Sequence, residues 1–422
     1  VTSPVFSGLA GSAASGGAGG TSHFASPVGL DRLVRKEVSL GAIRERQFPE
    51  DHIGVTRIAP FLSVDSDDVI FDYIKGGLQD GLAPARAEDA EAELAQKDEL
   101  TYGSGRAAII DWSLKDKYTA SDVTRYRDDL ILARLAAGAE RGLQLGAPFR
   151  NIEMFNARVA RHDALRRRKL DNRLEWMVMQ AMETGGIAYN DGKIKFTVNF
   201  GRPGGQHNQP ISAKNPSITG ANGRWNRDSS HDPIGDLLGA RQFMYDTHGV
   251  WLNRAITSQK NLNYMWLSSR FTALSGLVVG GTPSSPIDMR YIMPGFDQQA
   301  AIEAVQRATG ITFDVYDSVY WTRPVGSQTR TMNRFTTESK IILYPEEGSL
   351  GEVDDTDIGF AKTLTAPHPE GNWQSGFYEW EDETRDPWMH VRGTGIKAFP
   401  VFPYMEYTYS MDVTVNKDGS TT

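Results

Sequence analysis

Acidic and aromatic side chains crowd residues 373–383, where Trp373, Trp380, Glu379, Glu381, Asp382 and Glu383 lie close in the chain. Two carboxyls facing each other over an indole floor are what glycoside hydrolysis uses, one as acid and one as base or nucleophile. Nothing in this spacing fixes the separation of any two carboxyls, so a solvated acidic turn is the favoured reading. Asp65, Asp67 and Asp68, and again Asp354, Asp355 and Asp357, have the short spacing of calcium ligands. A calcium loop also needs a glycine at its sixth position and a glutamate six residues further on. Ile70 stands sixth in the first group, and in the second no glycine at the sixth position is followed by a glutamate six residues further on. The 8 His are scattered, with no His-Glu-x-x-His pattern and no zinc spacing. No Gly-x-Ser-x-Gly elbow or Walker-type loop occurs. The expectation is no catalytic residue, no metal, no cofactor and no enzyme.

Composition narrows the class further. With zero cysteines, disulfides, thiolate metal sites and a cysteine nucleophile are all excluded. Against 53 Asp+Glu stand 45 Lys+Arg, a net charge of -8, which argues against a protein whose whole surface grips nucleic acid. No apolar run approaches the ~20 residues of a membrane span, and no basic-then-apolar leader opens the chain. No membrane partner is expected, and synthesis and assembly in a cytosol are. A chain of 422 residues suggests two or three lobes.

The elements must be organised around residues 151–186. Ile152, Phe155 and Val159, then Leu170, Leu174, Met177, Val178 and Ala181, recur at three and four residues and draw one apolar stripe along a helix. Asn151 suits its cap, and Gly185-Gly186 its left-handed stop. Roughly 32 helical residues would span about 48 Å. Opposite the stripe lie Arg158, Arg161, Arg166, Arg167, Arg168, Lys169 and Arg173, a basic face whose favoured reading is a solvated one.

Before this helix, residues 1–27 are Gly, Ser and Ala with few large side chains, a flexible arm. Val69, Phe71 and Tyr73 alternate with Ile70, Asp72 and Ile74, residues 108–112 form a second apolar run, and a polar insertion separates them. The expectation is a protruding two-stranded ribbon with an acidic tip: Glu88, Asp89, Glu91, Glu93, Asp98 and Glu99. Such a ribbon is marginal alone and should lie on another copy. A further helix is expected over residues 121–141. After the long helix, Asn190-Asp191-Gly192 marks a hairpin. Asp232-Pro233 opens a helix, and a second lobe alternates strand (250–256), helix (261–275), helix (297–308, stopped by Gly310), strand (311–321) and strand (340–344). Tyr407, Tyr409, Met411, Val413 and Val415 alternate with Thr408, Ser410, Asp412 and Thr414, so the chain closes in a sheet.

This order resembles the lambda-type major capsid proteins of tailed bacteriophages, which adopt the Hong Kong 97 capsid fold. The resemblance rests on the mobile arm, the ribbon, the Arg-rich helix RHDALRRRKLDNRLEWMVMQAM, the hairpin GIAYNDGKIKFTV, the strand KIILYPEEGSLG and the closing WMHVRGTGIKAFPVFPYMEYTYSMDVTV. It implies an α+β fold: N-terminal arm 1–52, extended loop 53–118, peripheral domain with spine helix 119–228, axial domain 229–362, and peripheral C-terminal strands 363–422. It implies a structural protein that self-assembles through hexamers and pentamers into an icosahedral head shell around double-stranded DNA. It also implies a virion location after assembly in the host bacterial cytoplasm, with a portal, a separate scaffold and maturation protease, and a decoration protein as partners. DNA would be held without sequence preference. The ribbon residues Glu88, Asp89, Glu91 and Glu93 and the helix residues Arg166, Arg167, Arg168 and Lys169 are the candidates for contact between subunits. An encapsulin-like compartment shares the fold and is the alternative shell; a carbohydrate-binding or hydrolytic protein is the alternative outside it.

Overall fold

The computed structural model describes residues 36–75, 101–119, 149–192, 194–206, 209–210, 225, 232–266, 268, 298–323, 329–346 and 359–414. The arm 1–27, the acidic tip, the helix at 121–141 and Asp354, Asp355 and Asp357 lie outside them. The chain enters as α1 (Lys36–Glu45), a π-helical turn (Gly54–Ile58) and β1 (Phe61–Ser63). Helix α1 falls inside the stretch assigned to the arm, yet it belongs to the folded body. Leu40 and Ile43 are buried, and Arg44 donates to the carbonyls of Phe377 (2.9 Å) and Gly371 (3.2 Å). The π-turn is equally internal, with Val55 and Ile58 in the core.

The ribbon is present with a different second strand. β2 (Asp68–Lys75) pairs antiparallel with β3 (Thr101–Ala108), Asp68 opposite Ala108 and Lys75 opposite Thr101. The sequence of β3, TYGSGRAA, has no apolar alternation, which is why the run at 108–112 drew the assignment instead. That run breaks at Ile109-Ile110 and leads into β4 (Asp111–Thr119), which pairs with a strand near the other end of the chain.

Helix α2 (Phe149–Thr184) has 36 residues and so measures about 54 Å. It begins two residues before the Asn151 expected as its cap. It stops as the glycine pair requires: Gly185 has φ 77°, and its amide donates to the Ala181 carbonyl at 2.8 Å. Along its second half Leu170, Leu174, Met177, Val178 and Ala181 are buried in the main core. Full burial of each larger side chain is worth about 1.5–3 kcal/mol. The stripe packs on β17 (Trp388–Val401), the strand about which the larger sheet is built. β16 (Phe377–Arg385) flanks β17 on one side and β4 on the other; β13 (Lys362–Thr365) pairs with the last residues of β17, and β1 runs parallel to β13. Two glycines of β17 are dictated by cross-strand rings: a Cβ on Gly393 would meet Trp380, and one on Gly395 would meet Tyr378. Beyond α2, β5 (Gly186–Asn190) and β6 (Lys195–Asn199) make the expected hairpin. Its turn is fastened by Asp191 Oδ1, which accepts from the Ile194 amide at 2.7 Å.

The second lobe is a five-stranded sheet in the order β7 (Gln209–Pro210), β18 (Tyr409–Asp412), β12 (Lys340–Tyr344), β8 (Arg254–Thr257), β9 (Thr312–Val315). Helices α3 (Pro233–His248), α4 (Gln259–Trp266) and α5 (Gln298–Thr309) supply its own core. Asp232 caps α3 by accepting from the Gly235 amide at 2.9 Å, with Pro233 in the first turn. Every residue of β12 is buried because it lies between two cores: Ile341 and Leu343 face the lobe's helices, Ile342 and Tyr344 the core under α2. The lobes therefore share a sheet rather than a linker. Two expectations change here. Residues 311–321 are two strands, β9 and β10 (Val319–Thr322), the latter in a hairpin with β11 (Thr331–Arg334). The closing strand β18, grouped with the peripheral strands 363–422, pairs with β12 and puts Tyr409, Met411 and Val413 into the second core. Its polar alternates, Thr408, Ser410 and Thr414, are at 0% exposure, so that alternation separates two buried faces rather than a dry one from a wet one.

Candidate functional site

The basic middle of α2 is divided between inside and outside. Arg166 is buried and reaches Asp163 on its own helix, Asp116 on β4 and the hydroxyl of Thr394 on β17 (3.1 Å). Beside it Arg392 of β17 pairs with Glu379 of β16 at 2.6 Å, and Glu379 is itself 3.8 Å from Arg166. Burial works against the Arg166 charge, but the carboxylates of Asp163 and Asp116 outweigh it and hold the guanidinium above its ordinary range. Arg167 takes a different path: it donates to Asp171 (2.7 Å) and to the carbonyl of Ile43 in α1 (3.0 Å), and its guanidinium stacks 3.1 Å from the centre of the Phe377 ring. The solvated face thus holds for Arg161, Arg168 and Lys169, which are exposed, and fails for Arg166 and Arg167. These two clamp the helix to the sheet and to α1.

Further along α2 two carboxylates reach the second lobe. Glu175, at 0% exposure, accepts from the amides of Gly54 and Val55 (3.0 Å each) and from the Tyr316 hydroxyl (2.7 Å). Burial pushes its pKa up to about 7, with the three donors pulling the other way. His52, also buried, stands next to this joint, and burial followed by the charge of Arg168 lowers it to about 4. Glu183 accepts from the Thr337 amide and from Lys340 Nζ, both at 2.9 Å. Neither carboxylate was legible as a joint, because each stands among ordinary helix residues and its partners are more than a hundred positions away.

The exposed surface carries a cleft of about 630 Å³ between β4, α2, the β5–β6 hairpin and β10. Arg173 sits inside it with its guanidinium about 5 Å from three rings, Trp112, Trp176 and Tyr189. Lys169 stands in its wall, and Trp321 of β10 is 61% exposed beside it. The sequence pointed to Arg173 only as part of the basic face; one ring comes from α2 itself and the other two from β4 and β5.

The other candidates fall as follows. Glu88, Asp89, Glu91 and Glu93 lie outside the described residues, so their pairing with the α2 run is a matter for proposal. Asp67 is held by Lys397 at 2.7 Å and Asp68 by Arg106. Among the described residues no group of three or more His, Asp and Glu is placed to hold a metal ion. The acidic stretch is a strand, not a turn. In it Glu379 is engaged with Arg392, Trp380 covers Gly393, and Glu381, Asp382 and Glu383 are exposed.

A long helix lies on a sheet, beside a two-stranded ribbon and a second lobe that shares a strand with the first core. Residues 40–234 match the family model of phage major capsid protein E. Among solved structures, the chain is similar to a putative prophage capsid protein from E. coli (14% identity, 90% of this chain and 97% of that one, TM-score 0.48). It is also similar to a phage-related protein from Bordetella bronchiseptica (13%, 93% and 99%, 0.46) and to the SrpI encapsulin of Synechococcus elongatus (10%, 92% and 99%, 0.35). No curated protein matches the chain.

Proposed function

We propose that copies of this chain close into the icosahedral head shell of a tailed double-stranded DNA phage and enclose its genome. The observation that carries this reading is the family match over residues 40–234, a segment that includes the latter part of α1, the ribbon strands, β4 and the whole spine helix. A shell subunit must keep a fixed outline while its edges bond to neighbours. Charged joints on one 36-residue helix, each engaging a different element, favour that rigidity. The role is structural and not catalytic. Hexamers and pentamers are the building units, formed in the host bacterial cytoplasm with a separate scaffold, a maturation protease and a portal. A decoration protein seats where three subunits meet, adding buried area to a shell that has no disulfide to resist internal pressure. With a net charge of -8 on every copy, the wall confines DNA without sequence preference.

The test is production of the chain together with its scaffold, followed by sedimentation and negative-stain microscopy. Closed shells are expected. Strict monomers at high concentration would overturn the reading, and shells isolated from the native host with enzyme cargo instead of DNA would turn it to an encapsulin-like compartment.

A further inference from the structure

The turn leading into β16 presents a tryptophan in a way that folding alone does not require. A two-residue pairing of β14 (Pro367–His368) with β15 (Gln374–Ser375) closes a loop in which Asn372 (φ 56°) and Trp373 (φ 58°) are both left-handed. A bulky side chain at positive φ is a genuine outlier, and such strain persists only where the surroundings fix it. Here they do. The Trp373 amide donates to the His368 carbonyl at 3.1 Å, the His368 ring stacks on Tyr378 at 3.8 Å, and Arg44 grips the carbonyl of Gly371 and the side chain of Gln374. The outcome of this rigid support is an indole 72% exposed. A large, stiffly held aromatic side chain in water is the usual form of an interface anchor.

We propose that Trp373 of one copy inserts into the aromatic cleft of a neighbouring copy. Three observations select a second copy as the occupant. The cleft, about 630 Å³, has room for an indole, and Trp112, Leu114, Trp176 and Trp321 give it apolar surface beside the polar Lys169, Arg173 and Asp191. Donor and acceptor lie on opposite sides of β17: the loop runs into β16, whereas the cleft is walled by β4. A contact between two different patches of identical subunits runs head to tail, and it generates rings when the rotation closes. Charge also agrees, since exposed Glu370 stands in the same loop as Trp373, and exposed Lys169 lies in the cleft wall. The proposal rests on the shell reading and adds to it the pair of surfaces that joins neighbours.

The experiment uses the whole chain under the conditions that give particles. Trp373→Gly relieves the left-handed backbone, so the subunit's urea midpoint is expected to hold or rise while particle yield drops at least tenfold. Because the chain has no cysteine, a second arm is clean: Glu370→Cys copies are mixed with Lys169→Cys copies, assembled and oxidised. A band at twice the chain mass is expected from the mixture and from neither variant alone, since a disulfide forms only between closely placed residues. Parental particle yield from Trp373→Gly, its unfolding, or particles from the mixture without the crosslink would each overturn the contact and leave the shell reading standing. If the parent chain forms no particles, the shell reading falls and this contact with it.

Discussion

Arg166 and Arg167 differ from Arg168 and Lys169 in nothing that composition or local charge can register, yet the first two are 2% exposed and the second two are turned to solvent. What separates them is the direction of the helix turn relative to the sheet and α1. The inner pair meets Asp163, Glu379 and Asp171, buried carboxylates that would otherwise be stranded, and the partly exposed Asp116. A charge run on a helix can therefore be divided between internal bracing and a solvent-facing surface.

Removing one partner of a buried ion pair leaves the other charge uncompensated, at a cost of about 3–5 kcal/mol. Arg166→Ala is expected to lose stability in that range, read as a lowered urea midpoint of the purified subunit. A loss under about 1 kcal/mol, the usual worth of a surface pair, would erase the distinction between inner and outer residues.

The next largest effect sharpens the comparison with pH. Glu175 is an inner charge with neutral donors only, and its folded pKa of about 7 lies above the ordinary 4.5. The folded state then holds its proton longer than the unfolded one, so its contribution is full below about pH 4.5 and fades as pH rises through 7. That difference corresponds to about 3 kcal/mol. His52 acts in the opposite sense: with its pKa lowered from 6.5 to about 4, its contribution is full above 6.5 and is lost as pH falls through 4. Between pH 4.5 and 6.5 the two slopes oppose each other. The difference in stability between the parent and His52→Leu, followed by denaturation across that window, should rise with pH. The difference between the parent and Glu175→Gln should fall. Parallel profiles would show that the joint does not titrate.

Arg167 and Asp171 allow a smaller but cleaner contrast. Arg167→Met alone should cost about 2–4 kcal/mol, because Asp171 stays buried without its partner and the stack on Phe377 is lost. Arg167→Met with Asp171→Leu should recover most of this, since a well-packed apolar pair often equals a buried ionic one. A double variant as weak as the sum of the singles would show that the pair is not coupled.

The parts of the fold written in local pattern were legible: the α2 stripe and its Gly185 stop, the Asn190-Asp191-Gly192 hairpin, the Asp232-Pro233 start of α3, the Gly310 end of α5 and the strand Lys340–Tyr344. What escaped depends on long-range partners. β3 pairs through its backbone and needs no apolar alternation, and the run 311–321 is interrupted after Val315, next to Tyr316, whose hydroxyl donates to the distant Glu175. α1 reads as part of a loose arm until Arg167 and β16 are there to receive it. The cleft is assembled from four elements, none of which carries a signature of its own.

The smallest expected effect on stability falls on the outer pair and carries the most information about assembly. Arg168 and Lys169 are exposed, and none of the ion pairs that hold the inner pair engages them. Replacing both by Glu should change the folding free energy by no more than about 0.5 kcal/mol. If the acidic residues Glu88, Asp89, Glu91 and Glu93 of a neighbouring copy meet this face, the same double reversal sets like charge against like at every repeat of the contact. Each surface pair is worth only about 0–1 kcal/mol, but a closed shell repeats it across many linked copies, so a small local term becomes a large one for the particle. The expected outcome is a subunit with parental urea midpoint whose particle yield drops and whose remaining particles dissociate at lower salt. Replacing Glu88, Asp89, Glu91 and Glu93 by Lys in the same chain should restore assembly. Normal shells with parental salt tolerance from the Arg168→Glu, Lys169→Glu chain would confine the face to solvent and leave the inner pair as the only working half of the run.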